Sequence, residues 1–129
     1  MRSLIAAGEF FFDLIFYRIE SLPRMGEELV TPNFGLALGG GAPNTAITAA
    51  RLGRKVELAT VLGDTSLDQF AIEELAKEGI RPALIQQRRG SMGALTVSVS
   101  LLKDRFFLTY PGSNVFLERY LLAPSTRKK

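Results

Sequence analysis

Short apolar runs punctuated by glycine and proline divide the chain. Ser3 to Gly8 is apolar, lacks strict alternation and closes on a glycine, which predicts a strand buried on both faces of a parallel sheet. From Phe10 to Leu38 apolar and polar residues mix, interrupted by Pro23, Gly26, Pro32 and Gly35; this predicts short, exposed strands and turns outside the main sheet. Gly39-Gly40-Gly41 then leads into an alanine-rich helix from Pro43 to Leu52, with Ile47 and Leu52 on one side and Gly53 as its stop. Val56 to Leu62 reads as a second buried strand. After Gly63-Asp64 a second helix follows, signed by capping-box spacing at Ser66 and Gln69 and by Leu67, Phe70, Ala71 and Leu75 at helical intervals. Gly79 supplies a left-handed stop before Ile80. Beyond it lie a run from Ala83 to Gln87, a hairpin of Ala94 to Leu102 and Phe106 to Tyr110 around a Lys103-Asp104 turn, and a helix from Leu117 to Leu122 cut short by Pro124. The alternation predicts an α/β fold with a Rossmann-like parallel sheet and flanking helices.

At 129 residues, with no repeat, low-complexity tract or linker, the chain has room for one small domain. It holds neither cysteine nor histidine, which excludes disulfides, thiol and imidazole catalysis and Cys/His metal sites. A bound metal would be a hard cation such as Mg²⁺ on oxygen ligands. The net charge of +3 resides in Arg127-Lys128-Lys129, because the residues before them carry 13 basic and 13 acidic groups. No basic face for nucleic acid is expected, and the tail reads as a solvated end. Leu4 to Ala7 and Phe10 to Phe12 are too short for a signal peptide or a membrane span, so a cytoplasmic location is expected.

A glycine turn that opens a helix points free N–H groups and the helix dipole at one spot, a common anion site. The specific phosphate motifs fail here. Gly39 to Asn44 contains no Lys or Ser/Thr for a Walker loop, and Asn44 stands where the dinucleotide fingerprint needs its third glycine. What remains suits neutral hydroxyls: the Asn44 amide donates and accepts, and the glycines allow close backbone approach. Asp13, placed just past the first strand, can accept from two adjacent hydroxyls. On spacing alone, Asn44 as a helix cap and Asp13 as a solvated turn residue remain open.

Gly40-Gly41-Ala42-Pro43-Asn44-Thr45-Ala46, followed by Gly53 and Gly63, resembles the first signature of the ribokinase-like (PfkB) carbohydrate kinases. Gly8-Glu9 with Asp13, Gly63-Asp64 before a helix ending in Gly79-Ile80, and Tyr110-Pro111-Gly112-Ser113-Asn114 resemble the same family's N-terminal half, in order. The resemblance spans roughly Ser3 to Leu122 and is closest in flavour to fructokinases and 2-keto-3-deoxygluconate kinases. It implies an incomplete ribokinase-like fold: a core plus a small β lid made of residues about 14–38 and 94–110. By position it implies that Asp13 binds hydroxyls of a small sugar or sugar acid, Gly40 and Gly41 contact it through backbone, and Asn44 hydrogen-bonds it. Phe11 stands where ribokinases carry asparagine, which argues against ribose.

The family's second signature, a Gly-Ala-Gly-Asp segment supplying oxyanion-stabilising amides and the base, does not occur in these 129 residues. The resemblance therefore implies the acceptor half of a kinase whose complete form uses ATP and Mg²⁺, with neither expected to bind well to this chain alone. A non-catalytic sugar-binding or oligomerisation module is the alternative. An unpaired sheet edge and an uncovered apolar face would leave such a fragment to form a homodimer through the lid or the free edge, to pair with a missing partner, or to aggregate.

Smaller features invite two readings each. Phe10-Phe11-Phe12 is an aromatic platform or the alternating burial of a strand end; Arg88-Arg89 is an anion grip or a solvated turn beside Gly90. Thr96 and Tyr110 are candidates for facing the sugar from the hairpin.

Overall fold

A computed structural model describes residues 3–127, so Lys128 and Lys129 of the basic tail lie outside the described residues. In chain order the elements are β1 (Leu4–Ala7), β2 (Phe11–Ile19), β3 (Phe34–Gly39), α1 (Gly41–Arg51), β4 (Val56–Leu62), α2 (Ser66–Lys77), β5 (Ile85–Gln87), β6 (Leu95–Leu101), β7 (Arg105–Tyr110), α3 (Leu117–Leu122) and α4 (Pro124–Arg127). Turns of 3-10 helix span Pro82–Leu84 and Gly112–Phe116. The core sheet has three parallel strands in the order β1-β4-β5, and an outer sheet has four in the order β3-β2-β6-β7. In the outer sheet β2 and β6 run parallel, while β3 and β7 pair antiparallel at its two edges. The architecture is α/β: a Rossmann-like parallel sheet with flanking helices and a small second sheet.

The middle strand β4 is the most deeply set. Val56, Leu58 and Leu62 join Ala46 of α1 and Ala71 and Leu75 of α2 in one buried cluster, with Phe10 and Phe12 beside them. Both helices end as glycine demands. Gly53 and Gly79 take positive φ, and in each case two N–H groups turn back on the last carbonyls: Gly53 to Ala50 and Arg54 to Ala49, then Gly79 to Ala76 and Ile80 to Leu75. Ile80, buried just after that stop, anchors the return to the sheet.

Several expectations need correction. β1 is not buried on both faces: Ala6 packs into the core, but Leu4 and Ile5 are 41% and 48% exposed, because β1 is an edge strand of the core sheet. The segment after it does lie outside the core sheet, and β3 is short and largely exposed, but β2 is neither. β2 begins at Phe11, runs nine residues, and is pinned at its start by the buried pair Phe10 and Phe12, whose rings meet edge to face at 5.0 Å. Helix α1 starts at Gly41, ahead of Pro43, and Leu52 falls at its exposed C-cap outside the packed stripe. Phe70 of α2 is partly exposed, facing a groove shared with Leu36, Leu38 and Ile47.

The capping box of α2 lies one residue earlier than its sequence spacing implied, at Thr65 and Asp68. The reason is tertiary. The Asp68 carboxylate is fully buried and accepts from the backbone N–H of Gly63 (3.0 Å), Thr65 (3.0 Å) and Gly93 (2.8 Å) and from the Thr65 hydroxyl (2.6 Å). It joins the end of β4, the start of α2 and the entry to the β6–β7 hairpin. Close backbone packing reinforces that junction: a side chain on Gly63 would strike the Ser91 carbonyl, and one on Gly112 would strike Met92 and Gly93. Ser113 donates from its hydroxyl to the Val61 carbonyl (2.8 Å), and the Asn114 amide clamps Phe10 by donating to its carbonyl (2.9 Å) and accepting from its N–H (3.3 Å).

Two stability outcomes follow from these contacts. Asp68→Ala leaves the Gly63 and Gly93 N–H groups unmatched in the interior, and urea unfolding should show a loss of about 3 kcal/mol or more. Thr60 on β4 is fully buried with its hydroxyl unpartnered, so the near-isosteric Thr60→Val should gain about 1 kcal/mol in the same assay.

Candidate acceptor site

Strand pairing assigns the residues of the outer sheet to its two faces. Residues opposite one another in a ladder share a face, and successive residues alternate. Phe12 with Leu38, Leu95 and Tyr110, Leu14 with Leu36, Val97 and Leu108, and Phe16 with Phe34, Val99 and Phe106 form three transverse rows on one face. That face is apolar throughout. Its inner end packs on the core through Phe12, Leu38 and Leu95, while Phe34, Leu36, Leu108 and Tyr110 stand exposed. The opposite face carries the row Ala37, Asp13, Thr96, Thr109, between Phe11 on one side and Ile15, Ser98 and Phe107 on the other.

Asp13 is therefore a strand residue, the third of β2, and not a turn residue past β1. It leans toward Gly39: a Cβ built on Gly39 would sit 2.0 Å from Asp13 Oδ2. Gly39 thus holds space for the carboxylate, a role that the glycine run alone did not disclose. Among the described residues no hydrogen bond or ion pair meets that carboxylate. Partial burial holds its pKa above the ordinary aspartate range, since desolvation disfavours the charged form.

One residue further on, Gly40 caps α1 with φ 101°, and a Cβ there would lie 2.3 Å from the Glu9 carbonyl; both conformation and space demand glycine. Pro43 has no N–H, and the Asn44 N–H already reaches the Gly40 carbonyl at 3.1 Å. The Gly41 and Ala42 N–H groups are left as the open donors of the helix terminus. Gly41 is exposed, and a Cβ there would meet nothing within 4 Å. Asn44 is exposed in the first turn and does not cap the helix, since the N-cap is Gly40 with no side-chain bond. The segment Gly39 to Asn44 brings the Asp13 carboxylate, two backbone donors and an amide to the same end of α1.

The remaining candidates separate. Thr96 shares the Asp13 row, and its hydroxyl lies 3.2 Å from that of Thr109. Tyr110 is on the opposite face. The hairpin turn falls at Leu102-Lys103, with the Leu101 N–H donating to the Asp104 carbonyl at 2.7 Å, one residue earlier than expected. Counting from either turn puts Thr109, not Tyr110, on the face of Thr96, so that signal was present in the sequence. Phe10 and Phe12 are core residues and only Phe11 reaches the Asp13 face. Arg89 is exposed, whereas Arg88 stacks over the Phe116 ring at 3.9 Å.

An α/β core, an outer sheet with one polar row and a glycine-opened helix beside it define an α/β fold with a second sheet set over one end of a core helix. The chain belongs to the pfkB family of carbohydrate kinases, whose profile matches residues 1–125. It is 32% identical over 111 residues to a deoxyribokinase of Salmonella typhi, covering 85% of this chain and 36% of that protein. A ribokinase of Haemophilus influenzae is 30% identical over 103 residues, 79% of this chain and 34% of its own length. Among solved structures, the nucleoside kinase of Methanocaldococcus jannaschii, an archaeal member of the ribokinase family, superposes with a TM-score of 0.78 at 18% identity, over 92% of this chain and 40% of that one. A fructokinase of Halothermothrix orenii gives 0.76 at 23% identity, over 90% and 40%. The chain spans little more than a third of the length of the curated relatives it matches.

Kinases of this family use ATP and a metal ion. Among the described residues no cluster of three or more acidic side chains could hold a metal. No helix among the described residues is long and apolar enough to cross a membrane.

The raised pKa of Asp13 has a definite sign in stability. The folded state binds the proton more tightly than the unfolded state, so stability falls as pH rises from the ordinary aspartate value through the raised one. Asp13→Asn should raise the melting temperature at pH 7, and this gain should vanish in acid, below the ordinary aspartate range. Thermal melts at both pH values check it.

Proposed function

We propose that this chain is the sugar-binding portion of an ATP-dependent carbohydrate kinase, inactive in phosphoryl transfer when alone. The observation that carries this reading is the half-buried Asp13 carboxylate, unpaired by the chain and lodged over Gly39 beside the open end of α1. An acceptor sugar would donate two hydroxyls to Asp13, take the Gly41 and Ala42 N–H groups on another oxygen, and exchange hydrogen bonds with the Asn44 amide. Those contacts orient a hydroxyl for attack, while the outer sheet acts as a lid that limits water. The transferring phosphoryl group, its charge stabilisation and the base belong to the remainder of a full-length kinase. The free edge and exposed Leu4 and Ile5 of β1 fit a sheet that continues there.

A second reading, in which the chain also self-associates, is favoured by one observation. The apolar face of the outer sheet exposes Phe34, Leu36, Leu108 and Tyr110 together, more than a monomer commonly leaves to water. A second copy of the same face is its natural cover.

Calorimetry with a panel of pentoses, hexoses and sugar acids should show Asp13→Ala and Asn44→Ala each weakening sugar binding by about 1–3 kcal/mol. Unchanged affinity in both variants would sink the reading, as would steady ATP turnover by the pure chain. In sedimentation velocity Leu108→Lys should shift a dimer to monomer; a wild-type chain that stays monomeric at high concentration removes the second reading.

A further inference from the structure

We propose that Asn114 is a positioning residue for the acceptor site: its amide fixes the joint between the two sheets, and with it the placement of Asp13 relative to the open end of α1. The inference rests on the reading of Asp13 and that helix end as the acceptor site. Residues 8–10 leave the core sheet after Ala7 and enter the outer sheet at Phe11, and they belong to neither strand. A second joint, Gly40, links Gly39 at the end of β3 to Gly41 at the start of α1. The two joints touch. A Cβ on Gly40 would lie 2.3 Å from the Glu9 carbonyl oxygen, and one on Gly8 would lie 3.0 Å from the Ala42 Cβ. Asp13 follows the first joint on β2, and the Gly41 and Ala42 donors follow the second on α1. Any shift of residues 8–10 therefore moves the two halves of the site against each other.

Asn114 holds the first joint by its backbone. The Nδ2 group donates to the Phe10 carbonyl (2.9 Å) and Oδ1 accepts from the Phe10 N–H (3.3 Å), the exchange that a residue of a neighbouring strand would make. A planar amide presents donor and acceptor in one fixed plane, so it sets direction as well as distance. Burial of the Phe10 ring against Phe12 anchors the same joint, but apolar burial is non-directional and does not orient the peptide groups on either side. Glu9 and Asn114 line an open cleft of about 530 Å³, so water is the alternative partner of those groups and would leave the joint loose. The clamp is itself referenced to the core. The Asn114 N–H donates to the Pro111 carbonyl (3.1 Å), and the adjacent Ser113 hydroxyl bonds Val61 of β4 (2.8 Å). Isosteric aspartate could not replace it, because an ionised carboxylate accepts from the Phe10 N–H but repels the Phe10 carbonyl.

Such a clamp also stabilises the fold, so the test separates positioning from stability. Wild type, Asn114→Ala, Asn114→Asp, Tyr120→Phe and Asp13→Ala are titrated calorimetrically with D-fructose and D-ribose, and urea midpoints are measured for each. The amide resonances of Gly41 and Ala42 and the carboxyl carbon of Asp13 are followed in the sugar-free wild type, Asn114 variants and Tyr120→Phe. Tyr120→Phe is the stability control: it removes one part-buried hydrogen bond, to the Leu84 carbonyl (2.7 Å), from a residue of α3. Both Asn114 variants should weaken binding of the sugar that wild type prefers about tenfold, aspartate no less than alanine, and should move the Gly41, Ala42 and Asp13 resonances together. Tyr120→Phe should lower the urea midpoint and leave affinity and those resonances unchanged. Equal losses of affinity in Asn114→Ala and Tyr120→Phe, full affinity in either Asn114 variant, unmoved resonances, or failure of both Asn114 variants to fold overturns the proposal. If the Asn114 variants keep full affinity while Asp13→Ala loses it, only this inference falls. If wild type binds neither sugar, or Asp13→Ala is silent, the acceptor site falls and this inference with it.

Discussion

The buried carboxylate of Asp68 is the constraint on which the arrangement of the two sheets rests. It accepts hydrogen bonds from Gly63 at the end of β4, Thr65 at the start of α2 and Gly93 at the entry to the hairpin. A buried anion without such donors would be costly, so the three segments must stay converged. The hairpin's other end is fixed as firmly. Ser113 bonds Val61, and Asn114 clamps Phe10, a contact across 104 positions of chain. The outer sheet is thereby tethered to the core at both ends of the hairpin and at the start of β2, the strand that carries Asp13.

From that tether follows the division of the outer sheet into two unlike faces. Once Phe10 and Phe12 are fixed in the core, alternation leaves Phe11 and Asp13 no choice of side. Parallel pairing with β6 then brings Thr96 level with Asp13, and the antiparallel hairpin adds Thr109. One face gathers the polar row and meets the open end of α1; the other is apolar along three successive rows. A one-residue slip of β2 would exchange them, burying Asp13 in the core and exposing the phenylalanines. Glycine does comparable work at the site's corner, where Gly39 leaves room for a carboxylate and Gly40 lets the chain turn against Glu9.

Much of this was legible locally. The glycine stops of both helices, the strand from Val56 to Leu62 and the helix from Leu117 to Leu122 lie where pattern and turn chemistry put them. The glycine turn was legible as a site of close approach, and its motif context carried the family resemblance. Less legible was anything decided by a distant partner. The Thr65 and Asp68 cap prevailed over Ser66 and Gln69 because Gly93, 25 residues along the chain, supplies a donor to Asp68. The expected burial of β1 on both faces assumed a second covering layer and a second neighbouring strand that the described residues do not contain.

By itself the sequence determined the elements, their ends and the residue types available for chemistry, because helix periods, caps and glycine turns act over a few residues. Only the tertiary structure decided that Asp13 belongs to a strand and lies over Gly39, that Thr109 rather than Tyr110 stands with Thr96, and that Asn44 leaves the cap to Gly40. Those outcomes depend on register and on which side chains the core claims first. Register is set by hydrogen bonds between strands and by buried anchors such as Phe10, Phe12 and Asp68, whose partners lie tens of residues away.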